Sequence, residues 1–241
     1  DWQHGLDGKG WNMLYIENHD HPRMVSRYGS EKFREESAKM LAVSYLFLKG
    51  TPFIYQGQEI GMLNWRPDDP LKYEDVHTLW QYHNEETDKS DQERLERLWR
   101  CSRDSARTGV QWNAEKNAGF TTGTPWFAVN DNYAAINAEQ QETDPDSILN
   151  FYRKAIALRK ELEVVHSGSY REHDHDNEKL YLYSRESAEQ KLLVICSFSS
   201  CEETFTVPAG FCLEEGKLIL SNYGQNGALL KPWECRVYLW E

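Results

Sequence analysis

An acid and an imidazole stand side by side just after a short apolar run near the start of the chain. The run Leu14-Tyr15-Ile16 has β-strand character and gives way at once to Glu17-Asn18-His19-Asp20. Polar residues at the carboxyl end of a strand are where parallel α/β folds build their sites. Asp20 could accept hydrogen bonds from two neighbouring hydroxyl groups while His19 donates to one of them. A polar loop in which Asp20 caps backbone N–H groups explains these residues equally well.

Charge and composition exclude several classes of partner. The 241 residues carry a formal net charge of −12, which argues against nucleic acid and anionic membranes because both require a basic surface. No apolar run approaches the ~18 residues that would span a bilayer. The five cysteines show no metal-ligand spacing, so reduced thiols are favoured over disulfides. The run His173-Asp174-His175-Asp176 is typical of a solvated hairpin tip, and the sequence predicts no metal and no cofactor.

The first sixty residues predict a strand, a helix and a second strand. The strands are expected at 12–16 and 53–55, with a loop at 18–29 and a helix that begins at Glu31 with Ser30 as its cap. The helix should end at Gly50-Thr51-Pro52. Short connections between these elements predict a parallel βαβ unit.

The remainder of the chain divides into a long polar segment, a helix and a set of short strands. Residues 63–141 are expected to form a loop-rich insertion with helices at 75–83 and 87–100. Asp144-Pro145-Asp146 predicts the start of a helix that runs to about Val165. After Gly168 the apolar period becomes two, which predicts an antiparallel sandwich. Its strands are expected at 180–184, 192–196, 204–207, 218–220 and 235–239.

The heptapeptide Glu17-Asn18-His19-Asp20-His21-Pro22-Arg23 resembles a signature region of glycoside hydrolase family 13, the alpha-amylase superfamily. It is most similar to the oligo-1,6-glucosidase and α-glucosidase branch. Further resemblance to this branch lies in residues 50–62, 102–112, 118–127 and 144–154. The chain departs from the branch at Gln58, where many members have Glu, and at Ser105, Gly109 and Val110.

This resemblance implies a fold and a set of site residues. The fold class would be α/β plus all-β. Residues 1–168 would be the C-terminal portion of a TIM (β/α)8 barrel, with its last two strands and helices, and residues 169–241 a small antiparallel β-sandwich. Asp20 would be the catalytic carboxylate that stabilises the transition state. His19 and Arg107 would bind the substrate, with Arg103 as the alternative arginine.

The resemblance also implies a function, with alternatives left open. It points to the C-terminal part of a retaining, exo-acting α-glucosidase that hydrolyses short α-1,6 or α-1,4 gluco-oligosaccharides in the cytoplasm. A trehalose-6-phosphate hydrolase is an alternative, although the acidic balance of the chain disfavours a phosphorylated substrate. A non-catalytic family scaffold is another. Met24-Val25-Ser26-Arg27-Tyr28 replaces the charged run of sucrose isomerases, which favours hydrolysis.

We predict that the 241-residue chain alone is inactive. Retaining hydrolysis needs a nucleophile and an acid/base carboxylate about 5–5.5 Å apart. The resemblance places both in an N-terminal part of the same barrel that precedes residue 1. The measurement is release of 4-nitrophenol from an aryl α-glucoside, and turnover above a heat-inactivated control would contradict the prediction.

Overall fold

In the computed structural model, which describes residues 2–241, internal contacts divide the chain into two units. The first contains the residues up to Tyr15, Lys32–Phe53 and Phe151–Glu241, and the second contains Ile16–Glu31 and Ile54–Asn150. Neither unit is continuous in sequence. The boundary near residue 168 between barrel and sandwich stays a prediction.

The first unit begins with the predicted parallel βαβ arrangement. Helix α1 (Trp2–Gly5) is followed by strand β1 (Met13–Leu14), helix α3 (Arg34–Leu46) and strand β2 (Thr51–Pro52). Met13 pairs with Thr51 in a parallel register, which confirms the predicted parallel pairing. Strand β1 is shorter than predicted, and β2 lies just before the predicted range 53–55. The residue before β2 must be glycine because a Cβ on Gly50 would lie 2.5 Å from the carbonyl oxygen of Asn12. The predicted helix start was wrong, because α3 begins at Arg34 with Phe33 at the N-cap position, rather than at Glu31 with Ser30 as its cap.

An antiparallel sheet of five strands forms most of the remaining first unit. Its spatial order is β3 (Ser169–His173), β4 (Leu180–Glu186), β5 (Lys191–Ser197), β9 (Cys235–Trp240) and β7 (Lys217–Ser221). Strands β6 (Glu203–Thr204) and β8 (Leu229–Leu230) form a separate two-stranded ladder. Four of the five strands predicted from period two are confirmed, the strand at 204–207 ends at Thr204, and β3 and β8 were not predicted.

Both faces of the central strands are buried. One face packs Leu182, Ile195 and Tyr238 with Phe205 and Leu230, which flank or belong to the two-stranded ladder. On the other face the hydroxyl of Tyr183 donates to the carbonyl oxygen of Val43 in α3 at 3.4 Å. Burial on two sides explains why β5 carries an unbroken apolar run, since a half-exposed strand would alternate.

A buried arginine holds the ends of two helices in the first unit. Arg185 in β4 donates to the carbonyl oxygens of Phe47 at 3.1 Å and Val165 at 2.9 Å. It also donates to Gly168 at 2.6 Å and Ser169 at 3.1 Å. The carbonyls of Phe47, Val165 and Gly168 lie at the C-terminal ends of α3 and α8 (Glu163–Ser167), where helical partners are missing.

The second unit is built from helices and ordered loops. It contains α2 (Met24–Tyr28), α4 (Val76–Asn84), α5 (Asp91–Cys101) and α6 (Ala138–Thr143). Helix α7 spans Ile148–Glu161, and its residues from Phe151 onward belong to the first unit. Both predicted helices, 75–83 and 87–100, are present, with Asp75 and Ser90 as N-caps, although the second starts at Asp91 rather than at Thr87. Helix α2 lies where a loop was predicted. The predicted single helix from 144 is interrupted at Leu162, which separates α7 from α8.

Three further properties bear on the expected partners. All five cysteines are free thiols. Among residues 2–241, no helix has both the length and the apolar character needed to cross a membrane. Within the same residues, no group of three or more His, Cys, Asp or Glu side chains is arranged to hold a metal ion.

We predict that Arg185→Lys lowers the free energy of unfolding by about 2–4 kcal/mol, because a lysine cannot reach all the carbonyls that the guanidinium satisfies. Arg171→Lys, an exposed arginine on the neighbouring strand, is the matched control and should change stability by less than about 0.5 kcal/mol. Urea unfolding of both variants measures the difference. Equal stabilities would contradict the role assigned to Arg185.

Candidate active site

The structure brings together all the site residues that the sequence predicts, and all of them lie in the second unit. The Oδ1 atom of Asp20 accepts a hydrogen bond from Nη1 of Arg103 at 3.1 Å and lies 3.4 Å from Nη2 of Arg107. Nε of Arg107 also donates to the carbonyl oxygen of His19 at 3.1 Å. Nε2 of His19 lies 3.4 Å from Oδ2 of Asp20. The Asp20 side chain remains 51% exposed, so it is accessible to a ligand.

A second carboxylate, Asp75, lies behind the two arginines. Its Oδ1 atom accepts from Nη2 of Arg103 at 2.7 Å and lies 3.7 Å from Nη1 of Arg107. Its Oδ2 atom accepts from the backbone N–H and the hydroxyl of Thr78 at 3.0 and 2.9 Å. Burial alone would raise the pKa of Asp75, but the hydrogen bonds from Arg103 and Thr78 outweigh it and hold the pKa at about 2.

Sequence reasoning identified Asp75 only as the start of a helix. That part is correct, because its side chain caps α4. Its contact with Arg103, however, joins residues that are 28 positions apart. Helix-cap chemistry is visible in local sequence, whereas a pairing at this separation is not.

A third carboxylate, Asp104, fixes the position of Asp75 relative to the two arginines. Asp104 is fully buried, and its Oδ2 atom accepts from the backbone N–H groups of Glu74 and Asp75, each at 2.8 Å. Its Oδ1 atom makes no hydrogen bond and lies 3.6 Å from Nη1 of Arg107. Burial raises the pKa of Asp104. Asp104 therefore fixes the backbone that carries Asp75 next to the turn that carries Arg103 and Arg107.

The loop that carries His19 and Asp20 is anchored by a buried ion pair. Oε1 of Glu17 accepts from Nη1 of Arg23 at 2.7 Å, and both side chains are completely buried. Arg23 also donates to the carbonyl oxygens of Gln56 at 2.7 Å and Ser105 at 3.1 Å. It thereby connects the 17–23 loop to the two other segments of the site. Removing one partner of such a pair is costly because the other charge stays buried.

One departure from the branch pattern has a local explanation. A Cβ on Gly109 would lie 2.7 Å from the ring of Phe120, so this ring occupies the space that a larger residue would need. The amide oxygen of Gln58 accepts from the backbone N–H of Tyr55 at 3.2 Å. Glu59 accepts from the backbone N–H of Gly57 at 2.9 Å, which is a structural contact.

An open cleft of about 450 Å³ adjoins this cluster. Its lining combines aromatic and polar side chains: Tyr55, Gln56, Glu74, Asp75, Arg107, Trp126 and Phe127. Arg107 is common to the cleft and to the Asp20 cluster. Aromatic faces beside a few hydrogen-bonding groups suit a ligand with apolar ring faces and many hydroxyls. Glu74, Trp126 and Phe127 were not predicted as site residues.

Comparisons with known proteins find a family model and relatives that match this chain. The family model for the alpha-amylase catalytic domain matches residues 1–168. The chain is 44% identical over 246 residues to an oligo-1,6-glucosidase of Parageobacillus thermoglucosidasius, covering 98% of this chain and 44% of that protein. It is 43% identical over 247 residues to a trehalose-6-phosphate hydrolase of Bacillus subtilis, covering 99% of this chain and 44% of that protein.

Solved structures of similar proteins also match nearly the whole chain. The crystal structure of Bacillus licheniformis trehalose-6-phosphate hydrolase superposes with a TM-score of 0.94 at 45% identity, covering 99% of this chain and 45% of that one. An isomaltulose synthase from Klebsiella superposes with a TM-score of 0.89 at 36% identity, covering 98% of this chain and 44% of that one. The chain thus spans less than half the length of these relatives.

We predict that Asp75→Asn makes the protein less sensitive to acid. Because the folded-state pKa of Asp75 lies below its ordinary value of 3.8, its carboxylate stabilises the fold. That contribution is complete above the unfolded-state pKa and is lost as pH falls through about 2. After a discount for solvent screening at the arginines, the wild-type chain should lose about 1 kcal/mol more than Asp75→Asn between pH 6 and pH 3.

Urea unfolding at both pH values measures this difference. Asp104 remains in both proteins, and burial, the largest cause of its raised pKa, is common to both. Identical losses of stability in the two proteins would show that Asp75 is not held ionised by the arginines.

Proposed function

The chain belongs to the alpha-amylase family, and from this premise we propose that it supplies part of the active site of a retaining, exo-acting α-glucosidase. The substrates would be short α-1,6 or α-1,4 gluco-oligosaccharides. The proposal applies to the full-length protein, because the matched relatives are more than twice as long as this chain. The observation that carries it is the convergence of Asp20, His19, Arg103 and Arg107 beside an aromatic cleft.

Asp20 has the chemistry to stabilise the transition state. Cleavage of a glycosidic bond builds positive charge on the sugar ring, and a nearby carboxylate lowers the energy of that state. The same carboxylate can accept hydrogen bonds from ring hydroxyls, while His19 contributes a donor. Arg103 and Arg107 hold the Asp20 side chain in one position, so little reorganisation is needed when charge develops.

The nucleophile and the acid/base carboxylate remain to be supplied. Of the two carboxylates that lie behind Asp20 and contact its arginines, Asp75 is bound to Arg103 and Asp104 is fully buried. Neither is available to attack a sugar or to protonate a leaving group. We propose that both catalytic groups come from the N-terminal half of the barrel, with these 241 residues inactive by themselves. A cytoplasmic location remains part of the proposal.

Hydrolysis of trehalose 6-phosphate is the second candidate, and the similarity to enzymes with that name favours it. The charges in the cleft favour the first candidate. Its lining contains the carboxylates Glu74 and Asp75 and one arginine, Arg107. A phosphate monoester requires an excess of positive donors at its site. A neutral gluco-oligosaccharide does not. A scaffold without catalysis would have no need for the Asp20 cluster.

The test measures hydrolysis by the full-length protein and its Asp20→Asn variant. We expect turnover of isomaltose or maltose to exceed that of trehalose 6-phosphate. Asp20→Asn should lower kcat by at least about a hundredfold, because it removes the charge that stabilises the transition state while keeping the shape of the side chain. Glucose release in a coupled assay gives both values, and proton NMR gives the anomer formed first, which should be α.

Asp88→Asn is the control, since Asp88 is an exposed residue outside the site, and its activity should equal that of wild type. Faster turnover of trehalose 6-phosphate would replace the first candidate by the second. Full activity in Asp20→Asn would remove Asp20 from the mechanism.

A further inference from the structure

Two positive charges lie against the carboxylate that the proposed function assigns to transition-state stabilisation. Nη1 of Arg103 donates to Oδ1 of Asp20 at 3.1 Å, and Nη2 of Arg107 lies 3.4 Å from the same atom. Taken alone, two guanidinium groups and one carboxylate carry a net positive charge. Such a cluster would repel the positive charge that develops on the sugar ring during cleavage. A negative charge behind the arginines would restore the balance.

We propose that Asp75 is a positioning residue that offsets the charge of the two arginines, so that Asp20 keeps its attraction for a cationic sugar over a neutral one. This charge role rests on the proposed function, because the cation arises when a glycosidic bond is cleaved. Asp75 acts through Arg103 and Arg107. Its effect is therefore expected on the preference between a charged and a neutral ligand of the same shape.

Each arginine lies between an outer carboxylate, Asp20, and an inner one, Asp75. Arg103 donates through Nη1 to Asp20 and through Nη2 to Oδ1 of Asp75, and the inner contact is the shorter at 2.7 Å. Arg107 directs Nη2 to Asp20 and places Nη1 3.7 Å from the same Oδ1 atom of Asp75. The four groups thus form one charge network. Removing any one charge changes the electrostatic field at the others.

Asp75 is suited to carry a permanent negative charge. Although burial raises its pKa, hydrogen bonds from Arg103 and Thr78 bring the pKa down to about 2. Only 4% of its side chain is exposed, so water and salt screen its charge less than that of a surface carboxylate. Asp104 lies 3.6 Å from Nη1 of Arg107, but burial raises its pKa. Asp75 is therefore the inner acid that is held ionised.

A purely mechanical role for Asp75 makes a different prediction. If Asp75 only holds the arginines in place, loss of either Asp75 or Arg103 would loosen Asp20, and both changes would weaken the binding of a cation. If Asp75 acts through its charge, removing it adds positive charge near the sugar, whereas removing Arg103 takes positive charge away. The two changes then shift the preference for a cation in opposite directions.

The Kd values of two glucose-shaped ligands test this sign without relying on turnover. Isofagomine is an iminosugar with a protonated nitrogen at the anomeric position, and glucose is neutral; the preference is the ratio of their Kd values. Calorimetry at neutral pH, with glucose measured by displacement, uses the full-length protein as wild type, Asp75→Asn, Arg103→Gln and Thr78→Val. We expect Asp75→Asn to lower the preference for isofagomine about tenfold and Arg103→Gln to raise it about threefold. Thr78→Val is the matched control, because it removes a hydroxyl that donates to Asp75 but no charge, and should change the preference less than about twofold.

The outcomes separate the charge role from the proposed function. If wild type hydrolyses isomaltose and Asp75→Asn keeps the wild-type preference, the charge role is overturned and the α-glucosidase stands. A lowered preference in both Asp75→Asn and Arg103→Gln, or an equal shift in Thr78→Val, would make Asp75 a mechanical support and also overturn it. Opposite shifts in a protein without α-glucosidase activity would support the charge role and overturn the activity. If Asp75→Asn does not fold, Arg103→Gln decides, because a preference that fails to rise there overturns the charge role.

Discussion

Two arginines that share two carboxylates are the interaction on which this site depends. Arg103 contacts both Asp20 and Asp75, and Arg107 approaches the same pair. An isolated surface ion pair contributes little to stability, but here one carboxylate is almost fully buried and has its remaining oxygen bound to Thr78. The inner acid therefore fixes the arginines. The arginines in turn fix the outer acid, Asp20, which keeps an accessible face for a ligand.

Buried charge recurs as the means by which distant segments are held together. In the second unit, Arg23 pairs with Glu17 and donates to two backbone carbonyls from other segments. In the first unit, Arg185 uses backbone carbonyls alone as partners. A planar guanidinium with several donors suits both tasks, since each can satisfy carbonyls that loops and helix ends leave without partners. Such arrangements specify one packing of loops that contain little regular structure.

Local chemistry made much of the fold predictable. The parallel pairing of β1 with β2, the helices α4 and α5 with their caps, and four strands of the antiparallel sheet follow from period, turn residues and capping signals. The elements that the sequence did not predict also have physical explanations. Helix α2 forms where Pro22 suggested a loop, because a proline restricts the residues before it more than those after it. Strands β3 and β8 carry no clear alternation and depend on pairing with neighbours.

The sequence by itself determined which residue types stand at the candidate site and the family they resemble, because short motifs contain His19, Asp20, Arg103 and Arg107. These signals are local, since each belongs to a short motif. Only the tertiary structure decided that Asp75 and Asp104 hold the arginines, and that Trp126 lines the same cleft as Arg107. Those relations join segments tens of residues apart. Loop conformation sets them through hydrogen bonds to backbone groups, for which one-dimensional patterns carry no signal.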